Sequence, residues 1–170
     1  ACKRRLLKTP ARGVRPTTGS TREAIFNVLG GLVEDAFVLD IFAGSGALGI
    51  EALSRGAKHC TFVEKRPRAL RANLTLLGLN DRSLVLPEDF RPALRRSKGR
   101  AFHVIFCDPP YNRHHIQPTL EMIARYDLLG ENGIIVAEHS ALEHFTIPEN
   151  LKPWKQKNYG NTTVTFLEHG

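Results

Sequence analysis

Val38-Leu39-Asp40-Ile41-Phe42-Ala43-Gly44-Ser45-Gly46-Ala47-Leu48-Gly49 changes character twice within twelve residues. It opens as an apolar run, breaks at a glycine-rich turn and continues into good helix formers. Phe37 to Phe42 reads as a strand, and Ala47 to Arg55 as a helix stopped at Gly56. Glycines at such a junction let backbone approach a bound group closely, and open α/β sheets bind ligands at strand carboxyl ends. A GxGxxG pattern alone is weak. With a strand before it and a helix after it, it reads as a nucleotide-cofactor loop.

The alternation continues outward on both sides. Upstream, Ser20-Thr21-Arg22-Glu23 is a capping-box pattern, opening a helix with Ala24, Ile25, Val28 and Leu29 at helical spacing. Downstream, Cys60 to Glu64 reads as a strand and Arg68 to Leu77 as a helix closed by Gly78. Leu84-Val85-Leu86 is the third strand, followed by a short helix to about Lys98, and Phe102 to Cys107 is the fourth. Gln117 to Leu128 is a helix ended by Gly130, and Gly133 to Glu138 the fifth strand. Near-continuous apolar strands separated by helices imply a parallel sheet covered on both faces. Trp154 to Asn158 and Thr162 to Leu167 flank Tyr159-Gly160-Asn161, an antiparallel hairpin pattern. At 170 residues the chain fits one domain. Residues 1–19, punctuated by Pro and Gly, read as an arm, and residues 20–170 as the single domain.

Acids follow each of the first three strands. Asp40 lies in the strand just before the glycines, where it could meet an ammonium group rather than a pyrophosphate. Glu64 ends the second strand, twenty residues beyond Gly44, where a carboxylate can accept both ribose hydroxyl protons. Glu88-Asp89-Phe90 follows the third strand and suits an adenine amino group and its ring face; Asp89 could equally be a helix cap. The set matches a zwitterionic amino-acid nucleoside, S-adenosylmethionine, better than a nicotinamide dinucleotide.

Asp108-Pro109-Pro110-Tyr111 stands at the mouth of the fourth strand. An exocyclic amine on a base is a poor nucleophile, because its lone pair is delocalised into the ring. The Asp108 carboxylate and the Pro109 carbonyl can each accept one N–H, leaving the lone pair facing a methyl donor. The prolines fix φ and hold the preceding residue out of the helical region, so the loop is pre-set. Fixed acceptors aimed at developing charge are a large catalytic term, and alignment adds a proximity term. Tyr111 offers a ring for stacking on a flipped base. The four residues suggest an enzyme that methylates such an amine.

Charge is distributed unevenly. Of 24 Lys and Arg, seven (Lys3, Arg4, Arg5, Lys8, Arg12, Arg15 and Arg22) lie in residues 1–22, which hold no acid; the remaining 17 match the 17 Asp and Glu. The net charge of +7 is therefore that of the amino-terminal segment, either a phosphate-contacting arm or a solvated tail. Arg91, Arg95, Arg96, Lys98 and Arg100 read as a solvated helix end. Three cysteines, Cys2, Cys60 and Cys107, lack CxxC spacing and argue against a disulfide framework or a zinc site. Cys60 and Cys107 are expected to be buried thiols. No apolar run reaches the roughly 18 residues of a membrane span. Ala1-Cys2-Lys3-Arg4-Arg5 lacks a secretory stretch, and the missing initiating Met suggests a trimmed sequence. The cytoplasm is the expected compartment. His114-His115 reads as a solvated loop or an RNA phosphate contact. His139 and His144 lack partner ligands, so no metal is expected. Trp154 reads as a packing residue or an RNA-facing aromatic.

The chain resembles the RsmD family of class I, Rossmann-like methyltransferases over nearly its whole length. The markers are Arg15-Pro16-Thr17-Thr18, Arg22-Glu23-Ala24-Ile25-Phe26-Asn27-Val28-Leu29, the Asp40 to Gly46 loop, Val63-Glu64-Lys65, Asp108 to Tyr111 and Tyr159-Gly160. The resemblance implies a seven-stranded sheet whose last strand is antiparallel. It implies transfer of a methyl group from S-adenosylmethionine to guanine N2 in small-subunit ribosomal RNA, leaving S-adenosylhomocysteine. Asp40, Phe42, Ala43, Gly44, Ser45 and Gly46 would hold the methionine moiety, Glu64 with Lys65 beside it the ribose, and Asp89 with Phe90 the adenine. Asp108 to Tyr111 would hold the target base, while Thr17, Thr18 and Arg22 belong to a segment closing over the cofactor. Lys3, Arg4, Arg5, Lys8, Arg12 and Arg15 would meet RNA. The family works in the bacterial cytoplasm on assembling small ribosomal subunits, and a monomer is expected. Gly19 stands where many relatives carry an acid, and the family's Gly-rich start is absent.

Several rivals share some of these features. DNA adenine-N6 or cytosine-N4 enzymes usually need a further recognition region. Protein glutamine-N5 enzymes generally carry Asn where this chain has Asp108. A non-catalytic RNA-binding assembly factor would have no use for the intact amine clamp that Asp108 to Tyr111 would form, nor would a nicotinamide dehydrogenase.

Overall fold

The computed structural model describes residues 18–111 and 113–170. Thr17 and the basic residues Lys3 to Arg15 lie outside the described residues. Seven strands form one sheet: β1 (Phe37–Ile41), β2 (His59–Val63), β3 (Ser83–Leu86), β4 (Phe102–Cys107), β5 (Leu129–Ser140), β6 (Leu151–Tyr159) and β7 (Thr162–His169). Among the described residues five α-helices accompany them: α1 (Gly19–Leu29), α2 (Ala47–Ser54), α3 (Arg68–Leu76), α4 (Phe90–Arg96) and α5 (Ile116–Arg125). The spatial order is β3-β2-β1-β4-β5-β7-β6. The first five strands pair in parallel, while β7 runs antiparallel to both β5 and β6.

Alternation along each strand feeds two cores. Val38, Val104, Phe106, Val136, Val164 and Phe166 face one side, where they meet Ile25, Phe26 and Leu29 of α1 with Leu53 and Leu70. Leu39, Ile41, Ile105, Cys107 and Ile135 face the other, against Leu94, Leu120 and Ile123 of α4 and α5. Burial on both faces explains why these strands read as continuous apolar runs. Cys60 and Cys107 are buried free thiols.

Four boundaries depart from the sequence reading. Thr18, not Ser20, caps α1: its backbone is extended and its Oγ1 accepts the Thr21 N–H at 3.2 Å. The capping-box reading placed the start two residues late, because Thr18 and Ser20 are both competent caps. α5 stops at Arg125, and the reversal falls on Asp127 at φ 54° rather than on Gly130. Gly130 instead lies in β5, which begins at Leu129; a Cβ there would meet the Phe102 carbonyl oxygen at 3.1 Å. That glycine serves a close strand approach beside the register shift between β4 and β5. β6 starts at Leu151, three residues before the expected Trp154.

Candidate active site at the switch point of the sheet

The chain runs outward from β1 through β2 to β3, then returns to place β4 on the other side of β1. Ligand clefts of open α/β sheets form where the order reverses, at strand carboxyl ends. Ile41 pairs with Cys107, so the loop after β1 and the loop after β4 leave the sheet side by side. This register brings the glycine loop and Asp108-Pro109-Pro110 to one place.

A cleft of about 190 Å³ opens there, lined by Phe42, Val63, Glu64, Lys65, Arg66, Glu88, Asp89, Phe90, Asp108, Pro110 and His115. Glu64 is oriented by main chain: Oε1 accepts the Gly44 N–H at 2.8 Å and Oε2 the Arg66 N–H at 2.9 Å. A carboxylate has about four acceptor positions, so further hydroxyl donors can be accommodated. Asp89 is a helix cap and more. It accepts from the Arg91 N–H at 3.4 Å and pairs with Lys65 Nζ at 3.3 Å. Burial opposes its ionisation, but the bonds from Lys65 and Arg91 outweigh that and hold its carboxyl below the ordinary range. Glu88 differs: Oε2 accepts from Arg96 at 3.0 Å, whereas Oε1 is buried with no hydrogen-bond partner among the described residues. A buried unpaired acceptor in a cleft wall is costly in isolation and suits an incoming N–H donor.

Asp40 is almost fully buried at 2% exposure, and accepts the Gly49 N–H at 2.9 Å. Burial pushes its carboxyl up to about 7; the Gly49 bond opposes the rise and the nearby Glu64 charge adds to it. Gly49 itself must be glycine, because a Cβ there would lie 2.7 Å from Cys60 Sγ and closer still to the Phe62 ring. Helix α2 thus sits directly on β2, with its first turn aimed at Asp40.

The matching family model, conserved hypothetical protein 95, covers residues 1–168. The chain belongs to this, the RsmD family. YlbH of Bacillus subtilis (strain 168) is 40% identical over 98% of this chain and 94% of its own. The ribosomal RNA small subunit methyltransferase D of Escherichia coli (strain K12) is 33% identical over 97% of this chain and 84% of its own. The solved structure of yhhF from Escherichia coli matches with a TM-score of 0.84 at 32% identity, covering 96% of this chain and 90% of that one. The fold is accordingly the Rossmann-like class I methyltransferase fold, with its carboxyl-terminal antiparallel hairpin.

Within this family member, the remaining expected site residues fall in different places. Ala43 to Gly46 do not line the cleft; they connect to it through Glu64 and are pinned by Asn73 Nδ2, which donates to the Ser45 carbonyl at 3.0 Å. Thr18, the cap of α1, and Arg22 within it stand outside the lining, Arg22 reaching Glu51 of α2 at 3.9 Å. The Tyr111 hydroxyl hydrogen-bonds Thr162 Oγ1 at the start of β7, tying the Asp108–Tyr111 loop to the hairpin. His139 is used internally, between the Ser140 carbonyl and Thr165 Oγ1. Among the described residues no group of His, Cys, Asp and Glu is arranged to hold a metal.

Two residues escaped the sequence reading. Asn73 gave no signal beyond helix placement. His115 lines the cleft, lying parallel to Phe42 at 5.8 Å between ring centroids and tilted on Phe90 at 5.2 Å. Burial, then the positive charge of Arg91, hold its imidazole below the ordinary value. Phe42 adopts φ 61°, uncommon outside glycine, and its ring, His115 and Phe90 form a cluster in which each touches the other two.

Proposed function

We propose that the chain transfers a methyl group from S-adenosylmethionine to the exocyclic N2 amine of a guanine in small-subunit ribosomal RNA. The observation that carries this reading is the convergence of Asp108 and Pro110 with Glu64, Glu88, Asp89 and the Phe42 and Phe90 rings on one cleft. The donor set fits the cofactor. Glu64 suits a ribose diol, the unpaired Glu88 Oε1 an adenine amine, and the aromatic rings a flat base. Sequence similarity to proteins named for ribosomal RNA small-subunit methylation supports the substrate class.

When bound, S-adenosylmethionine supplies an electrophilic methyl group on a sulfonium. The chain's own residues prepare the amine. Asp108 and the Pro109 carbonyl accept its two N–H bonds, favouring pyramidal nitrogen with the lone pair directed at the methyl. The Tyr111–Thr162 bond holds the loop in place, and Asp108 stabilises the positive charge that develops on nitrogen and takes the proton that the methylated nitrogen sheds, passing it to solvent. Asp40 and residues 42–46 hold the methionine moiety, with Lys65, Asp89 and Phe90 at the nucleoside. Thr17, Thr18 and Arg22 belong to the closing segment. Residues 1–19 form the basic arm, in which Lys3, Arg4, Arg5, Lys8, Arg12 and Arg15 contact RNA, and residues 20–170 form the domain. We place the enzyme in the cytoplasm, as a monomer acting on assembling small subunits. Among the described residues no helix is long and apolar enough to cross a membrane.

The test is tritium transfer from labelled S-adenosylmethionine to small-subunit particles and RNA from a strain lacking the gene, followed by nucleoside mass spectrometry. N2-methylguanosine is the expected product. A different methylated nucleoside, or cofactor binding without transfer to any RNA, would refute the assignment.

A further inference from the structure

The outer strand β6 is unlike the rest of the sheet. Residues 152–158 are all exposed, and β6 is the outermost strand beyond β7 among the described residues. Between Asn150 and Leu167 the only charged residues are Lys152, Lys155 and Lys157. Pro153, which lacks a backbone donor, is tolerated because the strand is an edge.

A register shift between Pro153 and Lys155 makes Trp154 the extra residue of a bulge. Bulged residues abandon strict alternation, so Trp154 and Lys155 share a face. Trp154 stands edge-on to Phe166 at 6.0 Å, and Lys155 Nζ lies 5.7 Å from the Trp154 ring centroid. Lys157 and Tyr159 follow on that face at two-residue spacing. Trp154 nevertheless keeps 41% exposure, so packing on Phe166 does not account for all of its ring. The strip leads toward the candidate active site. Tyr159 pairs with Thr162, whose hydroxyl bonds Tyr111 of the clamp loop. At about 3.3 Å per residue, the strip extends roughly 17 Å from Tyr159 to Trp154.

We propose that this face of β6 binds the RNA strand flanking the target base, with Lys155 and Lys157 on phosphates and Trp154 stacked on an unpaired base. This rests on the RNA-methyltransferase reading above. Lysines on a strand edge also discourage edge-to-edge pairing. That role explains the charges but not an exposed tryptophan on their face, nor the connection of the strip to the clamp. Cationic grooves interleaved with aromatic platforms are the general solution for single-stranded nucleic acid.

The test measures binding of in-vitro-transcribed small-subunit ribosomal RNA by filter retention between about 50 and 200 mM KCl, a range over which phosphate contacts are salt-sensitive. Each lost single-strand phosphate contact lowers the log–log salt slope by about 0.7, so Lys155→Gln/Lys157→Gln should lower it by about 1.4 and weaken binding about 25-fold at 0.1 M salt. Trp154→Ala should weaken binding at least about fivefold with the slope unchanged. Lys58→Gln/Arg100→Gln, exposed at the opposite ends of the strands, should match wild type. S-adenosylmethionine affinity by calorimetry should be the same in all variants, which also reports their folding. Wild-type affinity and slope in the lysine variant would overturn the surface while leaving the methyltransferase reading intact. Self-association in wild type that the lysine or Trp154 variants alter would assign this edge to a second copy instead. Failure of the wild-type protein to bind or methylate the RNA would refute both.

Discussion

Replacing Asp40 with Asn should make stability less dependent on pH, in a direction opposite to the usual carboxylate. Asp40 is buried beneath the glycine loop, and its carboxyl is pushed up to about 7 from the ordinary 3.8. Between those values the folded state holds a proton that the unfolded chain releases. Unfolding stability therefore falls as pH rises, by about 1.4 kcal/mol per unit, and the loss is complete above the folded value. Over the whole shift of roughly three units, the ionised carboxylate costs about 4 kcal/mol relative to its protonated form. The substituted amide would be close in shape, would still accept the Gly49 N–H through its oxygen, and would carry no charge to bury. Other titrations are common to both proteins and cancel in the difference. Urea unfolding of wild type and Asp40→Asn at pH 5 and pH 8.5 isolates this one contribution. The stability of Asp40→Asn relative to wild type should rise by about 3 kcal/mol between the two, the part of the shift that lies above pH 5. A difference constant to within about 0.5 kcal/mol would place the folded carboxyl below pH 5 and refute the burial argument. A cationic ligand beside Asp40 would favour its ionised form, so cofactor binding near pH 6 should release a proton that Asp40→Asn does not release. Calorimetry in buffers of different ionisation enthalpy reads that proton.

Asp108→Ala should reduce methyl transfer by about 10²–10³-fold with cofactor affinity retained, read by tritium transfer and calorimetry; near-normal turnover would remove the clamp. Glu64→Ala removes the acceptor of two main-chain N–H bonds as well as the proposed ribose contact, so S-adenosylmethionine should bind more weakly by calorimetry; an unchanged affinity contradicts the assignment. Gly49→Ala forces a methyl against Cys60 and Phe62 and should destabilise the fold by about 1–3 kcal/mol in urea. His115→Ala should weaken cofactor binding about threefold to tenfold, with His115→Phe restoring it, because the ring contacts are what matter. Since His115 is neutral at pH 7, wild-type affinity should fall as the imidazole protonates in acid, and the Phe variant should lose that contribution.

The sheet, its parallel core and the hairpin were legible in sequence because both-face burial leaves continuous apolar runs at 37–42, 60–64 and 102–107. The glycine loop, Glu64, Asp89 and Asp108 were legible because each stands at a strand end, a position set by local pattern. Helix and strand limits failed where two residues were equally able to do the job. Thr18 and Ser20 are both caps, and Gly130 looks like a stop until the Phe102 carbonyl opposite it is seen. His115 was read as a solvated loop or an RNA contact because the residues before it, Asn112-Arg113-His114, are polar; its neighbours in space are Phe42 and Phe90, more than twenty residues away.

The sequence by itself determined which chemical groups the protein has and which strand each one ends. Those are consequences of short-range periodicity, backbone preference and side-chain chemistry. Only the tertiary structure decided which groups share a cleft, because that depends on strand order. With β4 beside β1 rather than beyond β3, Asp108 emerges next to the glycine loop. Only the packed core raises Asp40 to near neutrality, and only the bulge in β6 turns Trp154 onto the same face as Lys155. These effects come from desolvation and register, which arise between segments distant in the chain.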